Sequence, residues 1–474
     1  MTRIIPLALA SSLLAATSLL SGCAVGPNYK APVASTSAKA PFMGAETPAF
    51  AAAPAADHWW TMYGDPVLDG LVGDALAANT DIRVAAARVE AARASLTGAR
   101  APILLPETTL SASANRQRIS SIQTIPGQSR ERWAYDGGLA LSYEVDAFGR
   151  LRRGIEAAKG DAAAAQADED AVRLAVVSDT VRAYLDASTS AQREKVARDT
   201  VDLLDRSIRI TGARVDVGRS DRLDLIRVTA LRDQQAAAIP QLQADRQAAL
   251  LRLATLTGRN PGDLPAALRG VIATPTLKQP IPVGDGAALL ARRPDVRAAE
   301  RRLAADTARI GVATADLFPR ITLGASAGAS ALGGMDVTSS SASRWSLGPL
   351  VSWSIPNIVA ARARIAAARA ESKASLAQFD GAVLVALEET ERALSNLSHA
   401  RQRADTLKRA RDEAMRAARI SLARQREGQV DFLTVLDAQR TLAGAEADLV
   451  AARRASAFAE VDVFRALAGG WQTT

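Results

Sequence analysis

Two periodicities alternate along the chain. From Val67 to Arg100 apolar residues recur at helical spacing, with Leu68, Leu71, Val72, Ala75 and Leu76 on one face, the arrangement that lets a helix bury one side. The same spacing predicts a very long helix from Gly154 to Ala213 and a third from Ser220 to Leu256. It then returns in the same order from Asp285 to Asp316, Ile358 to Glu427 and Gln429 to Leu467. In each half the two shorter helices together hold 71 residues, against 60 and 70 in the long ones. At about 1.5 Å per residue these lengths come to roughly 90 to 105 Å. Two short helices end to end therefore match one long helix, and rods this long without internal caps point to coiled-coil packing side by side.

Between the helices the period changes to two. Ile321, Leu323, Ala325, Ala327 and Ala329 alternate with Thr322, Gly324, Ser326, Gly328 and Ser330, apolar against small polar, over the length that crosses a bilayer when tilted. Trp345, Leu347, Val351, Trp353 and Ile355 continue the pattern, as do Leu139, Leu141, Tyr143 and Val145; Thr108 to Asn115 repeats it most faintly. Ser- and Gly-rich turns around Pro126-Gly127 and Gly333-Gly334 join each pair, as expected of loops outside a membrane. Trp133, Trp345 and Trp353 are placed to mark aromatic girdles. Four strands cannot close a barrel, because the smallest transmembrane barrels use about eight. A chain with this pattern must join copies of itself to span a membrane.

The order of elements is a repeat. GARVDVGRSDRLDLIRVTAL at 212–231 lies over LARQREGQVDFLTVLDAQRT at 422–441, pairing Gly218 with Gly428, Asp221 with Asp431 and Leu223 with Leu433, each 210 positions apart. The same offset carries Gly138, Ser142 and Tyr143 onto Gly348, Ser352 and Trp353, and an offset of 213 carries Gly98 and Pro106 onto Gly311 and Pro319. The chain is thus two copies of one unit, joined by a link containing Pro275, Pro280 and Pro282.

The amino terminus sets the compartment. Arg3 precedes an apolar run from Ile4 to Leu20, then Leu20-Ser21-Gly22-Cys23, which resembles the bacterial lipobox whose cysteine is acylated and becomes residue one. Cys23 is the chain's one cysteine, and several acyl chains make a stable anchor. Ala24 follows it; by resemblance to lipoprotein sorting, the absence of Asp there favours the outer membrane. Beyond the signal no apolar stretch of about 20 residues occurs, so a membrane crossing falls to a closed β-barrel. The division is a signal peptide at 1–22, a lipid-anchored segment at 23–59, repeat one at 60–270 with a β-hairpin near 107–146, a linker at 271–284, repeat two at 285–470 with a hairpin near 319–356, and a tail at 471–474.

Composition narrows the function classes. Aromatics make up 4% against 48% hydrophobic residues, which fits thin small-residue packing between rods better than a bulky core. The net charge is +8, but the arginines are scattered at helical spacing among Asp and Glu, without the basic blocks or interleaved aromatics of a nucleic-acid surface. One cysteine and two histidines, His58 and His399, exclude a disulfide framework and a Cys/His zinc cluster on this chain. No phosphate-binding glycine loop and no nucleophile–base pair is present, so neither a cofactor nor an enzymatic activity is expected.

Four further motifs carry a family resemblance. RRPDVRAAERRLAADTARIGVATADLFPRITL at 292–323, LSYEVDAFGRLR at 141–152 and VDFLTVLDAQ at 430–439, with ALAGGW at 466–471, resemble the efflux outer-membrane factors of the multidrug and nodulation-signal type. The likeness covers nearly the whole mature chain. It implies a mostly α fold of two tandem repeats, with four transmembrane strands per chain completing a trimeric twelve-stranded barrel above a periplasmic α-barrel. It also implies a passive duct, gated at its periplasmic tip, whose partners are a periplasmic adaptor protein and an inner-membrane RND-type transporter.

Carried over residue by residue, Leu433 and Asp437 fall where such ducts place a constricting leucine and aspartate, one helical turn apart, and Asp224 where a first-repeat aspartate accepts locking contacts. Three copies would form an apolar ring and a carboxylate ring that attracts cations. Gln425 stands where the family often has tyrosine, Val430 where some members have a locking arginine, and Arg227 at the copy-one equivalent of Asp437, so other contacts are expected to hold the resting state. Two alternatives share these residues: the same duct serving export of a protein or signal molecule, and a lipid-anchored coiled-coil spacer without a pore.

Overall fold

The computed structural model describes residues 24–33, 35–36, 38, 40–45, 49–124, 127, 129–270, 274–277, 279–333, 336–353 and 358–469. The expected signal peptide, Cys23, Pro126, Gly334, Ile355 and the tail at 471–474 lie outside them. In chain order the elements are β1 (Phe50–Ala51), α1 (Pro66–Ala78), α2 (Thr80–Leu104), β2 (Glu107–Arg118), β3 (Glu131–Val145), α3 (Arg150–Asp216), α4 (Arg222–Ala236), α5 (Ala238–Leu256), β4 (Ile281–Pro282), α6 (Gly286–Arg292), α7 (Pro294–Ala315), β5 (Arg320–Leu332), β6 (Ser343–Ser352), α8 (Ile358–Arg426) and α9 (Phe432–Ala466).

The long helices stand as the periodicity predicts, with 67 residues in α3 and 69 in α8. Three shorter ones are interrupted, each by one residue. The helix expected from Val67 to Arg100 divides at Asn79, whose Oδ1 accepts from the amides of Asp81 (2.9 Å) and Ile82 (3.2 Å) and caps α2. The helix expected from Asp285 to Asp316 divides at Arg293, because Pro294 disfavours helical dihedrals in the residue before it. The helix expected from Ser220 to Leu256 divides at Ala237. Pro240 has no N–H for the Ala236 carbonyl and its ring crowds that oxygen, although Ala237 keeps helical dihedrals of −61° and −21°.

Two of these breaks share a purpose. Asn79, 2% exposed, donates from Nδ2 to the carbonyl of Leu256, the last residue of α5, at 2.9 Å. Arg293 donates from Nη1 to the carbonyl of Ala466, the last residue of α9, at 3.3 Å. In each copy, the residue that breaks the first helix satisfies an orphan carbonyl at the end of the last.

The chain folds as two compact units. One is built from Arg88–Ala165 and Ala298–Asp380 with the segment ending at Pro32; the other takes Val33–Ala87, Gln166–Arg297 and the chain from Gly381 onward. Each therefore draws on both repeats. The second unit holds the largest core, where Trp59 stacks on Phe464 (centroids 4.6 Å apart) and donates from Nε1 to the carbonyl of Gly469 at 3.2 Å, with Leu68, Leu71, Tyr184 and Leu185 buried around them. There β1 pairs in parallel with β4, tying the amino-terminal segment to the linker between repeats.

Candidate functional site

The first unit contains a four-stranded antiparallel sheet in the order β2-β3-β5-β6. Register fixes which residues share a face. Leu139 pairs with Leu110 and with Ala327, and Ala327 pairs with Trp345; Leu141 pairs with Ala325, and Ala325 with Leu347. Since side chains alternate between faces, one face carries Leu110, Ala112 and Ala114 of β2, Leu139, Leu141, Tyr143 and Val145 of β3, the Ile321 to Ala331 series of β5, and Trp345, Leu347 and Val351 of β6. The faint segment from Thr108 to Asn115 is a strand in the same register, lengthened to Arg118. Trp353 lies just past β6.

The opposite face is polar. Arg344 pairs with both carboxylate oxygens of Asp136 at 2.7 and 2.8 Å, Ser330 donates to the same carboxylate at 2.6 Å, and the hydroxyls of Ser326 and Ser346 are 2.8 Å apart. Among the described residues much of the apolar face is uncovered, with Leu110 and Trp345 each 80% exposed, while Ala331 at its turn end is buried. Aromatic residues mark both ends of it. Trp133 stacks on Tyr135 near the turns, while at the helical end Tyr143 donates to the carbonyl of Ile103 at 3.3 Å and Trp353 to that of Leu317 at 3.2 Å. The outer strands β2 and β6 are exposed throughout and each pairs on one side alone, leaving two rows of backbone donors and acceptors without a strand partner.

A strap reaches the helical end of this sheet. The amide of Val25 donates to the carbonyl of Phe148 at 3.1 Å. Arg153, 4% exposed, donates to the Val25 carbonyl at 3.2 Å and to Oδ1 of Asn28 at 2.6 Å. Two glycines permit the contact: a Cβ on Gly149 would lie 2.6 Å from Cα of Ala24, and one on Gly26 would lie 2.5 Å from Cα of Gly311. Cys23 itself lies outside the described residues, but its neighbour Ala24 is held where the sheet gives way to helix. The arginine was not legible in sequence as a clamp, because its partners in the strap lie 125 or more positions away.

In the second unit two helix hairpins turn alike. Gly218, at φ +69°, donates to the carbonyl of Val215, and Arg219 to that of Arg214; Gly428, at φ +73°, donates to Gln425, and Gln429 to Arg424. This pair of bonds closes a helix on a left-handed residue, where glycine is least strained. Asp221 then caps α4 through the Leu223 amide at 2.8 Å, and Asp431 caps α9 through the Thr434 amide at 2.9 Å. Thr434 also donates its hydroxyl to Asp431, and these two bonds hold that carboxyl below its usual range.

The carried-over residues sit just past these caps. Leu433, 45% exposed, and Asp437, exposed, share one side of α9, while Phe432 and Leu436 beside them pack on a cluster of Val228 and Leu231 of α4 and Leu204 of α3. Asp224 lies half-buried and 4.0 Å from Arg227 of its own helix. The structure thus brings Leu433 and Asp437 together one turn apart, and turns Asp224 toward its own chain. Among the described residues no cluster of His, Cys, Asp and Glu is arranged to hold a metal ion, and no helix is long and apolar enough to cross a membrane.

Comparison with known proteins agrees with this geometry. The family model described as outer membrane efflux protein matches residues 71–259 and again 287–469, once for each repeat. Nodulation protein T of Rhizobium leguminosarum bv. trifolii is 32% identical over 443 residues, covering 92% of this chain and 91% of its own. The pyoverdine export outer membrane protein OpmQ of Pseudomonas aeruginosa is 32% identical over 422 residues, covering 88% of each. Among solved structures the outer-membrane channel OprN matches with a TM-score of 0.88 at 36% identity, covering 95% of this chain and 100% of that one.

Proposed function

Because the chain belongs to the outer membrane efflux protein family, we propose that it is a passive exit duct, closed from three copies and conducting small molecules out of the periplasm. The observation that carries this reading is the sheet with one bare apolar face, one polar face and two unpaired edges. In hydrocarbon every unpaired backbone group costs several kcal/mol, so an open sheet is untenable there. Pairing β6 of one copy with β2 of the next removes both edges, and three copies give twelve strands. The apolar face then meets lipid and the Asp136–Arg344 face lines the lumen. Tyr135 and Tyr143 are eight residues apart on β3, about 26 Å along a strand and about 20 Å along the barrel axis at a tilt of about 40°, somewhat less than the roughly 25 Å height of an apolar barrel band.

In this reading acylated Cys23 enters the inner leaflet beside the barrel, and the strap held by Arg153 fixes the anchor there. The hairpin tips form the periplasmic gate, with Leu433 and Asp437 narrowing the pore and Asp224 supporting the closed form. The duct supplies no energy, so an inner-membrane RND-type transporter drives export and a periplasmic adaptor joins the two. Choice of exported compound lies with the transporter.

The test is planar-bilayer conductance of the detergent-solubilised protein together with its mass. A trimer giving small, mostly closed steps is the expected result. A monomer, or a trimer silent under all conditions, would overturn the duct and leave a lipid-anchored spacer.

A further inference from the structure

The two hairpin tips are alike in their turns, their caps and the face they leave bare, and at one equivalent position on that face they carry opposite charges. Counted from the capping aspartates, Leu223 and Leu433 occupy the same second helical position, and Arg227 and Asp437 the same sixth. The leucines are exposed almost equally, at 47% and 45%. Beneath them α4 and α9 share one apolar cluster, in which Leu225, Phe432 and Leu436 pack against Val228 and Leu231 of α4 and Leu204 of α3. That contact holds the two helices together and leaves outward, on each, a leucine followed one turn later by a charge. The chain covers neither pair itself. The ion pair of Arg227 with Asp224 is loose at 4.0 Å, and the Arg227 side chain remains 42% exposed.

We propose that Arg227 and Asp437 together form the charged constriction of the assembled duct, as one ring of alternating sign. This rests on the trimeric duct proposed above. Three copies bring three guanidiniums and three carboxylates to one depth, with six leucines one turn nearer the tip. A ring of three carboxylates alone would repel itself as it narrowed and would pass cations in preference. With an arginine between successive aspartates each Asp437 carboxylate is matched by a guanidinium, selectivity is weaker than that of a carboxylate ring alone, and closing it draws opposite charges together. The ring therefore serves as the latch expected to be missing where Gln425 and Val430 replace the family's locking residues. Salt screens such exposed pairs, so higher ionic strength favours the open form.

The experiment is single-channel recording of the full-length trimer in a potassium chloride gradient, comparing the natural protein with Arg227→Gln, Arg227→Lys, Asp437→Asn and the double exchange Arg227→Asp with Asp437→Arg. Arg227→Gln should raise the potassium-to-chloride permeability ratio severalfold and increase the time spent open. Asp437→Asn should shift the preference toward chloride. Arg227→Lys, which keeps the charge, and the double exchange should both return weak selectivity and the mostly closed state. Conducting Arg227→Gln trimers with natural selectivity and gating would overturn the mixed ring while leaving the duct intact. Should that variant fail to assemble, unchanged selectivity in Asp437→Asn would overturn it equally. Silence of the natural trimer would instead strike the duct reading itself.

Discussion

In copy one the last helix is interrupted at Ala237 to give α4 and α5, whereas in copy two its counterpart α9 runs for 35 residues without a break. The two begin alike, after the same glycine turn and the same aspartate cap, and end alike, with a carbonyl taken up by the residue that breaks the first helix of that copy. The difference is a proline. Position 240 is Pro and its equivalent 450 is Val, 7% exposed inside α9. The contrast teaches that the repeat preserves how helices start, stop and pack, while one residue lacking a backbone donor decides whether the rod between them is continuous.

The strongest way to break the contrast is to move the proline. Val450→Pro removes a backbone hydrogen bond, crowds the Glu446 carbonyl one turn earlier in a long helix and should cost about 3 kcal/mol or more. The expected outcome is a clear drop in the thermal transition of the solubilised protein. The reverse change, Pro240→Ala, restores a donor for the Ala236 carbonyl. Slower hydrogen exchange at the amides of 238, 239 and 241 would report a continuous helix, and unchanged exchange would show that packing, not proline, sets the break.

A second contrast lies at the breaks in the first helices. Asn79 is neutral and makes three hydrogen bonds, to Asp81, Ile82 and Leu256. Arg293, 8% exposed, carries a charge balanced by Asp295 at 2.6 Å and Glu389 at 2.8 Å. Arg293→Ala removes the charge that balances those partly exposed carboxylates and one of two donors to the Ala466 carbonyl, the Thr390 hydroxyl being the other, and should cost about 2 kcal/mol; Asn79→Ala should cost about 1 to 2 kcal/mol. The two also separate by pH. Burial alone would raise the Asp295 carboxyl, but the hydrogen bonds and charge of Arg293 prevail and hold it below its usual value. A carboxyl depressed in the folded state stabilises fully above its unfolded value and loses that contribution as pH falls through the folded one. Acid should therefore narrow the gap between the natural protein and Arg293→Ala, while the deficit of Asn79→Ala stays constant.

These contrasts also separate what was legible in the sequence from what was not. Period-two alternation located β3, β5 and β6 because their apolar face carries large residues such as Leu139, Leu323 and Trp345. It was faint in β2, where Leu110 is followed by Ala112 and Ala114, side chains too small to mark a face until Leu139 supplies the register. The tips were legible because a left-handed glycine and a capping aspartate leave a local signature, found twice 210 positions apart. Asn79, Arg293 and Arg153 were not, since each acts on a backbone group or side chain more than 90 positions distant. Helical periodicity reads which face is buried. It does not register where one hydrogen bond in the ladder is missing.

The mildest test asks whether the two tips are energetically as equivalent as their geometry. Gly218 and Gly428 hold φ of +69° and +73°, and a Cβ added at either would meet nothing within 4 Å. Alanine at these sites therefore suffers no clash with the rest of the chain, and its cost is confined to the left-handed backbone. That cost is about 1 kcal/mol, slightly offset because alanine also loses less freedom on folding than glycine. Gly218→Ala and Gly428→Ala should lower the thermal transition by the same small amount, and the double variant by the sum, because sites without shared partners add. A larger loss for Gly428→Ala would mean that the second tip is gripped by neighbouring copies in the closed duct, where the isolated chain shows open space. The comparison of the two glycines thus reads, from stability alone, which hairpin the assembly holds more tightly.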